Sequence, residues 1–198
     1  QGYINSFGSA CMAGWSSYAK LDGLILLPTQ SIAMASTTFV GQNYGADNMG
    51  RAKKGANQAL RISLLVTGLI SAVVMIFARP LLTLFTVEPD VLEYGQKFIL
   101  MISPFYLMIC FNQVYSGALR GIGNAKTPVI IMLFSFVVFR QLYLYGNSLL
   151  GNSFVAVALA YPVGWVLCST LLTILYYRSP LGRYREARIG CPQQQQQS

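Results

Sequence analysis

The stretch "TTFVGQNYGADNMGRAKKG", Thr37 to Gly55, decides how this chain folds. The apolar run "LILLPTQSIAMAS" leads into it, and a second apolar run, "ISLLVTGLISAVVMIF", follows soon after it. Between them come glycines and asparagines, then Arg51, Lys53 and Lys54. A chain that is apolar on both sides of a polar, glycine-bearing and basic turn reads as two membrane helices joined at a bilayer surface.

Composition points the same way. The chain is 54% hydrophobic and 10% charged, whereas a soluble domain carries about 25% charged residues. So few charges do not cover a soluble surface, and the bilayer is the partner this composition calls for. The net charge of +8 raises nucleic acid as a partner. A nucleic-acid binder gathers its cations on one accessible face; here they sit in short loops and in the tail, so nucleic acid is set aside. Cys11, Cys110, Cys168 and Cys191 form no CxxC pair, and the chain has no histidine. No metal site and no disulfide framework are expected, nor any cofactor, catalytic residue or enzymatic activity.

Five apolar segments lie at about 21–40, 62–85, 98–119, 128–145 and 154–177. Each is long enough for a hydrocarbon core of about 30 Å at about 1.5 Å per residue. Pro28, Pro104 and Pro162 fall inside three of them and predict kinks. "TVEPDVLEYGQK" reads as the loop between the second and third spans, and "GNSLLGNS" as the loop between the fourth and fifth. Residues 1–13 are too short to span and read as the stub of a preceding helix. Residues 179–198, "basic then glutamine-rich", read as a disordered tail. With no initiator Met, the chain reads as part of a longer protein.

Sidedness follows from the loops. Arg51, Lys53, Lys54 and Arg61, then Arg120 and Lys126, then Arg178, Arg183, Arg185 and Arg188 fall on one side. Glu88, Asp90 and Glu93 fall on the other, against a single Lys97. Lys/Arg excess marks the cytoplasmic face, so the opening stretch and the C-terminus are expected inside. In the turn itself, Gly41 and Gly45 offer backbone angles closed to other residues. Asp47 or Asn48 can cap the helix that follows.

Pro28 to Gly55, with "QSIAMASTTFVGQNYGA", and Gly117 to Pro128, "GALRGIGNAKTP", resemble the second-half signatures of the multidrug and toxic compound extrusion transporters. The likeness runs from about Gly2 to Arg178. It implies an all-α polytopic bundle: the second six-helix lobe of a two-lobe transporter, with its first helix mostly missing and surviving only at "QGYINSFG". It implies an integral membrane protein of the bacterial plasma membrane that exports small cationic amphiphiles in exchange for sodium or protons by alternating access. The partner lobe, N-terminal, would lie outside this chain. Gly41, Gln42, Asn43, Gly45 and Ala46 form the family's inner-loop motif, which reads either as a plain helix-turn-helix or as a gate hinge. A flippase of lipid-linked sugars shares the fold, but calls for several arginines in its cleft. A non-transporting membrane fragment is the other rival.

Coupled exchange needs a membrane carboxylate. The resemblance places the family's acids in the first lobe or in its seventh and tenth helices, and the tenth-helix equivalent "FILMISPFYLMICFNQVYSGAL" has none. The coupling acid therefore lies outside this chain or is Asp22. Asp22 reads as an interfacial or capping carboxylate, as a cation-attracting group at the outer mouth, or as the coupling site. Arg140 is the costliest residue in an apolar run: it is either a snorkelling or carbonyl-bound arginine, or a gate. Asn112, Gln113 and Tyr115 are either interhelical hydrogen-bonding groups or substrate ligands. Phe105, Tyr106, Tyr143 and Tyr161 are candidates to stack on a cation.

Overall fold

A computed structural model describes residues 9–149 and 154–184, and the regular elements among them are all helical. The helices are α1 (Ser9–Gly45), α2 (Met49–Ile76), α3 (Ala78–Thr83), α4 (Pro89–Ile102), α5 (Tyr106–Gly121), α6 (Lys126–Leu133), α7 (Arg140–Leu149), α8 (Phe154–Arg178) and α9 (Pro180–Arg183). A 3-10 turn, Ser103–Phe105, joins α4 to α5, and a π-helical stretch, Phe134–Phe139, joins α6 to α7. Five of the resulting helical rods are long and apolar enough to cross a membrane. The all-α polytopic bundle expected from the sequence is the fold observed.

The boundaries differ in three places, each for a local reason. Residues 9–13, expected to be the stub of an earlier helix, are the first turn of α1, which runs 37 residues, about 55 Å at 1.5 Å per residue. Pro28 lies inside it without ending it. The segment "QGYINSFG" lies outside the described residues. The expected acidic loop is mostly helix: Pro89 takes the first position of α4, where its missing N–H costs nothing, and Asp90 lies in the first turn, where the helix dipole favours it. Pro104 interrupts its span with one turn of 3-10 geometry, whereas Pro162, like Pro28, lies inside a continuous helix. The expected disordered tail begins in order: Ser179 caps α9, accepting from the Gly182 N–H at 3.2 Å, and Leu181 is buried. Residues 185–198 lie outside the described residues.

The turn at residues 46–48 corrects the reading of the glycines. Gly41 and Gly45 are helical, and the left-handed backbone angle falls on Asp47 (φ 55°). Asn48 caps α2, its side chain accepting from the Arg51 N–H at 3.1 Å. Gly41 serves close approach instead, whereas a Cβ on Gly45 would meet open space. A Cβ on Gly121 would stand 2.8 Å from the Thr37 carbonyl oxygen and 3.1 Å from the Gly41 nitrogen; one on Gly117 would stand 2.8 Å from the Ala33 carbonyl oxygen. So α1 and α5 touch backbone to backbone through a Gly117-x-x-x-Gly121 pair, a packing suited to lipid, where close van der Waals fit replaces the hydrophobic drive.

Helix α1 is the central post, packed against α2, α4 and α5, while α8 closes the far side of α5. One core cluster gathers Tyr18, Leu21, Ile25, Leu82, Phe98, Ile102 and Tyr106. A second, at the end carrying the basic turn, gathers Val40, Ala52, Ala56, Tyr115, Tyr176 and Leu181. The α6–α7 rod is peripheral.

Candidate functional site

Tyr18 and Asp22 are one helical turn apart on α1, so their side chains share a face. The Tyr18 hydroxyl donates to Asp22 Oδ1 at 3.1 Å. From α5, the Tyr106 hydroxyl donates to the same oxygen at 2.6 Å. The two hydroxyls are themselves 3.1 Å apart. Both tyrosines are buried and Asp22 is half-buried. Asp22 stands well inside α1, so it caps no helix. Lys20 does not pair with it: the Lys20 ammonium lies 5.3 Å from the centre of the Phe85 ring.

The acid borders an aromatic cluster. Trp15 packs on Tyr18 (5.1 Å between ring centres), on the edge of Phe98 (5.1 Å) and on Tyr161 of α8 (4.8 Å). Tyr106 stacks on Trp165, also of α8, at 5.9 Å. The guanidinium of Arg140, at the start of α7, lies over the Tyr161 ring at 5.0 Å. Trp15 and Tyr161 thus stand between a carboxylate on α1 and a guanidinium on α7. Negative and positive charge meet across aromatic faces, a setting that can hold a flat or cationic molecule. Arg140 directly follows the π-helical stretch, and such stretches re-aim the residues after them.

The other sequence candidates fall elsewhere. Asn112 is buried in α5; its Nδ2 donates to the Trp165 carbonyl at 3.4 Å, and its Oδ1 has no partner among the described residues. Gln113 is half-buried beside it. Tyr115 belongs to the opposite end of the bundle, stacked on Tyr176 at 4.3 Å. Phe105 and Tyr143 are half-buried. In the inner-loop motif, Gln42, Gly45 and Ala46 are exposed, and Asn43 Nδ2 donates back to the Phe39 carbonyl at 2.8 Å. The structure therefore brings Asp22, Tyr106, Tyr161 and Arg140 into one region and leaves Tyr115 and the loop motif in another.

Three contributors escaped the sequence reading: Tyr18, Trp15 and Trp165. The Tyr18–Asp22 spacing was a readable signal. The Trp15 and Trp165 contacts cross between helices and had none.

At the basic end, the Lys53 ammonium donates to the Gly182 and Tyr184 carbonyls, each at 2.8 Å. This joins the start of α2 to the end of α8. With Gly121 against Gly41, it places the loops bearing Arg51, Lys53, Arg120, Lys126 and Arg178 at one end of the bundle.

Comparison with known proteins agrees with this architecture. Residues 2–145 match the family model MatE. The probable multidrug resistance protein YpnP of Bacillus subtilis is 27% identical over 94% of this chain and 41% of its own length. The probable multidrug resistance protein NorM of Thermotoga maritima is 29% identical over 65% of this chain and 28% of its own length. The FAD transporter of Shewanella oneidensis is 25% identical over 65% of this chain and 28% of its own. The chain thus spans less than half the length of these relatives. With its membrane-length helices and the MatE match over most of its residues, the chain is an integral membrane protein belonging to the MatE family, the multidrug and toxic compound extrusion transporters.

Proposed function

We propose that this chain belongs to the second lobe of a two-lobe transporter that exports organic cations or drugs in exchange for sodium or protons by alternating access. One observation carries the reading: a half-buried carboxylate, Asp22, held by two phenol donors beside an aromatic cluster. Neutral donors hold a carboxylate in place without cancelling its charge, so the charge stays on offer to a coupling ion or a cationic cargo. Competition of the two for one carboxylate is the simplest physical basis of exchange. Arg140 over Tyr161 forms the other wall of the pathway, and Asn112 with Gln113 lies deeper along α5. The basic end is cytoplasmic on this reading, by its Lys/Arg excess.

The test uses the complete two-lobe protein at matched membrane abundance. Asp22→Asn keeps an oxygen that both tyrosines can bond and removes the charge. Loss of cation efflux with normal insertion is the expected result; efflux equal to the parent's places the coupling acid elsewhere. Arg140→Lys keeps charge but loses the planar fork that sits over the Tyr161 ring, and efflux falls to a lesser degree. For sidedness, a cysteine at position 48, in a background free of native cysteines, stays unlabelled by an impermeant thiol reagent in intact cells. Labelling there would invert the topology.

A further inference from the structure

Between α1, α2 and the α4–α5 rod runs a seam of buried hydroxyls that begins beneath Asp22. On α2, Ser63, Thr67 and Ser71 recur every fourth residue, all buried, so they line one face. On α1, Asp22, Thr29 and Ser36 recur every seventh, and Thr29 and Ser36 are buried. Thr29 and Thr67 bond hydroxyl to hydroxyl at 2.7 Å, which fixes the register of the two helices. From that pair, Ser71 lies about 6 Å toward Asp22, which is about 10 Å away along α1 at 1.5 Å per residue. In the opposite direction Ser63 and Ser36 lie about 6 and about 10 Å along their helices. The Ser71 hydroxyl donates to the Ser103 carbonyl at 3.1 Å, and the Cys110 thiol points at the Ser63 carbonyl at 3.6 Å. Ser103 is three residues before Tyr106, the donor to Asp22.

The seam is only partly satisfied by protein. The hydroxyls of Ser36, Ser63 and Ser103 are buried and have no partner among the described residues. Three orphan hydroxyls in one seam are unusual, because a buried polar group without a partner costs about 1–3 kcal/mol. One helical turn, about 5.4 Å, separates successive groups, and that is a gap a single water bridges. Toward the basic end the seam meets Val40, Ala52 and Ala56, all fully buried, and its polar lining stops.

We propose that this seam is a water-binding site: a file of ordered waters bridges Ser103, Ser71, the Thr29–Thr67 pair, Ser63 and Ser36, extending the Asp22 network into the bundle and ending at Val40, Ala52 and Ala56. The alternative reading, dry small-residue packing, makes the opposite prediction about radical chemistry at Cys110. Charged groups near the acid end are accounted for. Tyr18 and Tyr106 bond Asp22, Arg140 lies over Tyr161, Lys20 is turned to Phe85, and Lys97 pairs with Glu93 at 2.6 Å. None of them reaches an orphan hydroxyl.

The test is X-ray radiolytic footprinting of the complete two-lobe protein in lipid nanodiscs, where hydroxyl radicals made from bound water label the side chains beside it. Cys110 and Cys168 are equally inaccessible to bulk solvent, but Cys168 sits in a cluster with Leu119 and Leu172 and faces one buried hydroxyl, Ser135, rather than a run of them. Cys110 is expected to be oxidised at least fivefold faster than Cys168. Thr67→Val, which keeps shape and removes the hydroxyl, should lower Cys110 labelling severalfold, and Thr67→Ser should restore it. If Thr67→Val does not fold, Ser63→Ala gives the same comparison with a smaller change. Cys110 as protected as Cys168 overturns the proposal, as does labelling unchanged in a folded Thr67→Val or Ser63→Ala variant. The readout needs no transport, so its failure leaves the exchange reading of Asp22 untouched, and the failure of that reading leaves this one standing.

Discussion

At Asp22, α1 meets its neighbours through oxygen: a carboxylate, two phenols, and below them a run of serines and threonines. Further along the same helix, at Gly41, it meets α5 through bare backbone, with no room for a side chain at Gly121. The polar end is held by directional bonds that a ligand, an ion or water can exchange. The glycine end is held by fit, which exchanges for nothing. Helix α1 carries both kinds of contact. The basic end adds a second fixed contact: the Lys53 ammonium clasps the two carbonyls of the turn after α8.

This contrast can be broken by mutation. The largest effect is expected at the glycine end. Gly121→Leu forces a side chain into the Thr37 carbonyl and should destabilise the bundle by about 3 kcal/mol, the upper part of the usual overpacking range. Reversible unfolding in mixed detergent micelles measures it. A loss under 1 kcal/mol would mean that the helices separate freely there, and the contrast would fail.

Tyr106→Phe is next. It removes the 2.6 Å bond to Asp22, and bonds to charged groups contribute about 1.5–3 kcal/mol. Tyr18→Phe should cost less, because its bond is longer at 3.1 Å. The double variant should cost less than the two single losses added, since the tyrosines share one acceptor oxygen. Additive losses in the unfolding assay would show that the two phenols act independently.

Lys53→Met should cost about 1 kcal/mol and act locally. Its expected signature is faster tryptic cleavage after Arg183, because α9 is no longer clasped to α2. An unchanged cleavage rate would leave Leu181 packing alone as what holds the turn. The smallest effect is expected for Glu93→Gln. It breaks the one-turn pair with Lys97, whose side chains are both more than half exposed, and solvent-screened pairs of this kind contribute little to stability. A larger loss would show that this end of α4 is less exposed in the bilayer.

Membrane class, five spans, the gathering of cations in alternate loops and the family are legible in linear order alone. These depend on the order of residues along one strand of chain: run length, charge position and motif spacing. The Asn48 cap was legible for the same reason, being a contact three residues long. Asp22 could be named as an acid in an apolar run, but not given partners, because Tyr106 reaches it from 84 residues away. The glycines were visible, yet their work was misread as turn geometry; only the crossing of α1 and α5 shows that Gly41, Gly117 and Gly121 are there for what they lack. Tyr115 looked like a neighbour of Asn112 and Gln113 in sequence and proved to lie in the basic-end cluster. One-dimensional pattern reports what each helix must bury or expose, whereas the rotation and register of one helix against another are set by side-chain fit between segments distant in sequence. That fit places Asp22 against Tyr106, Arg140 against Tyr161 and Lys53 against the turn after α8, and it exists only once the helices have packed.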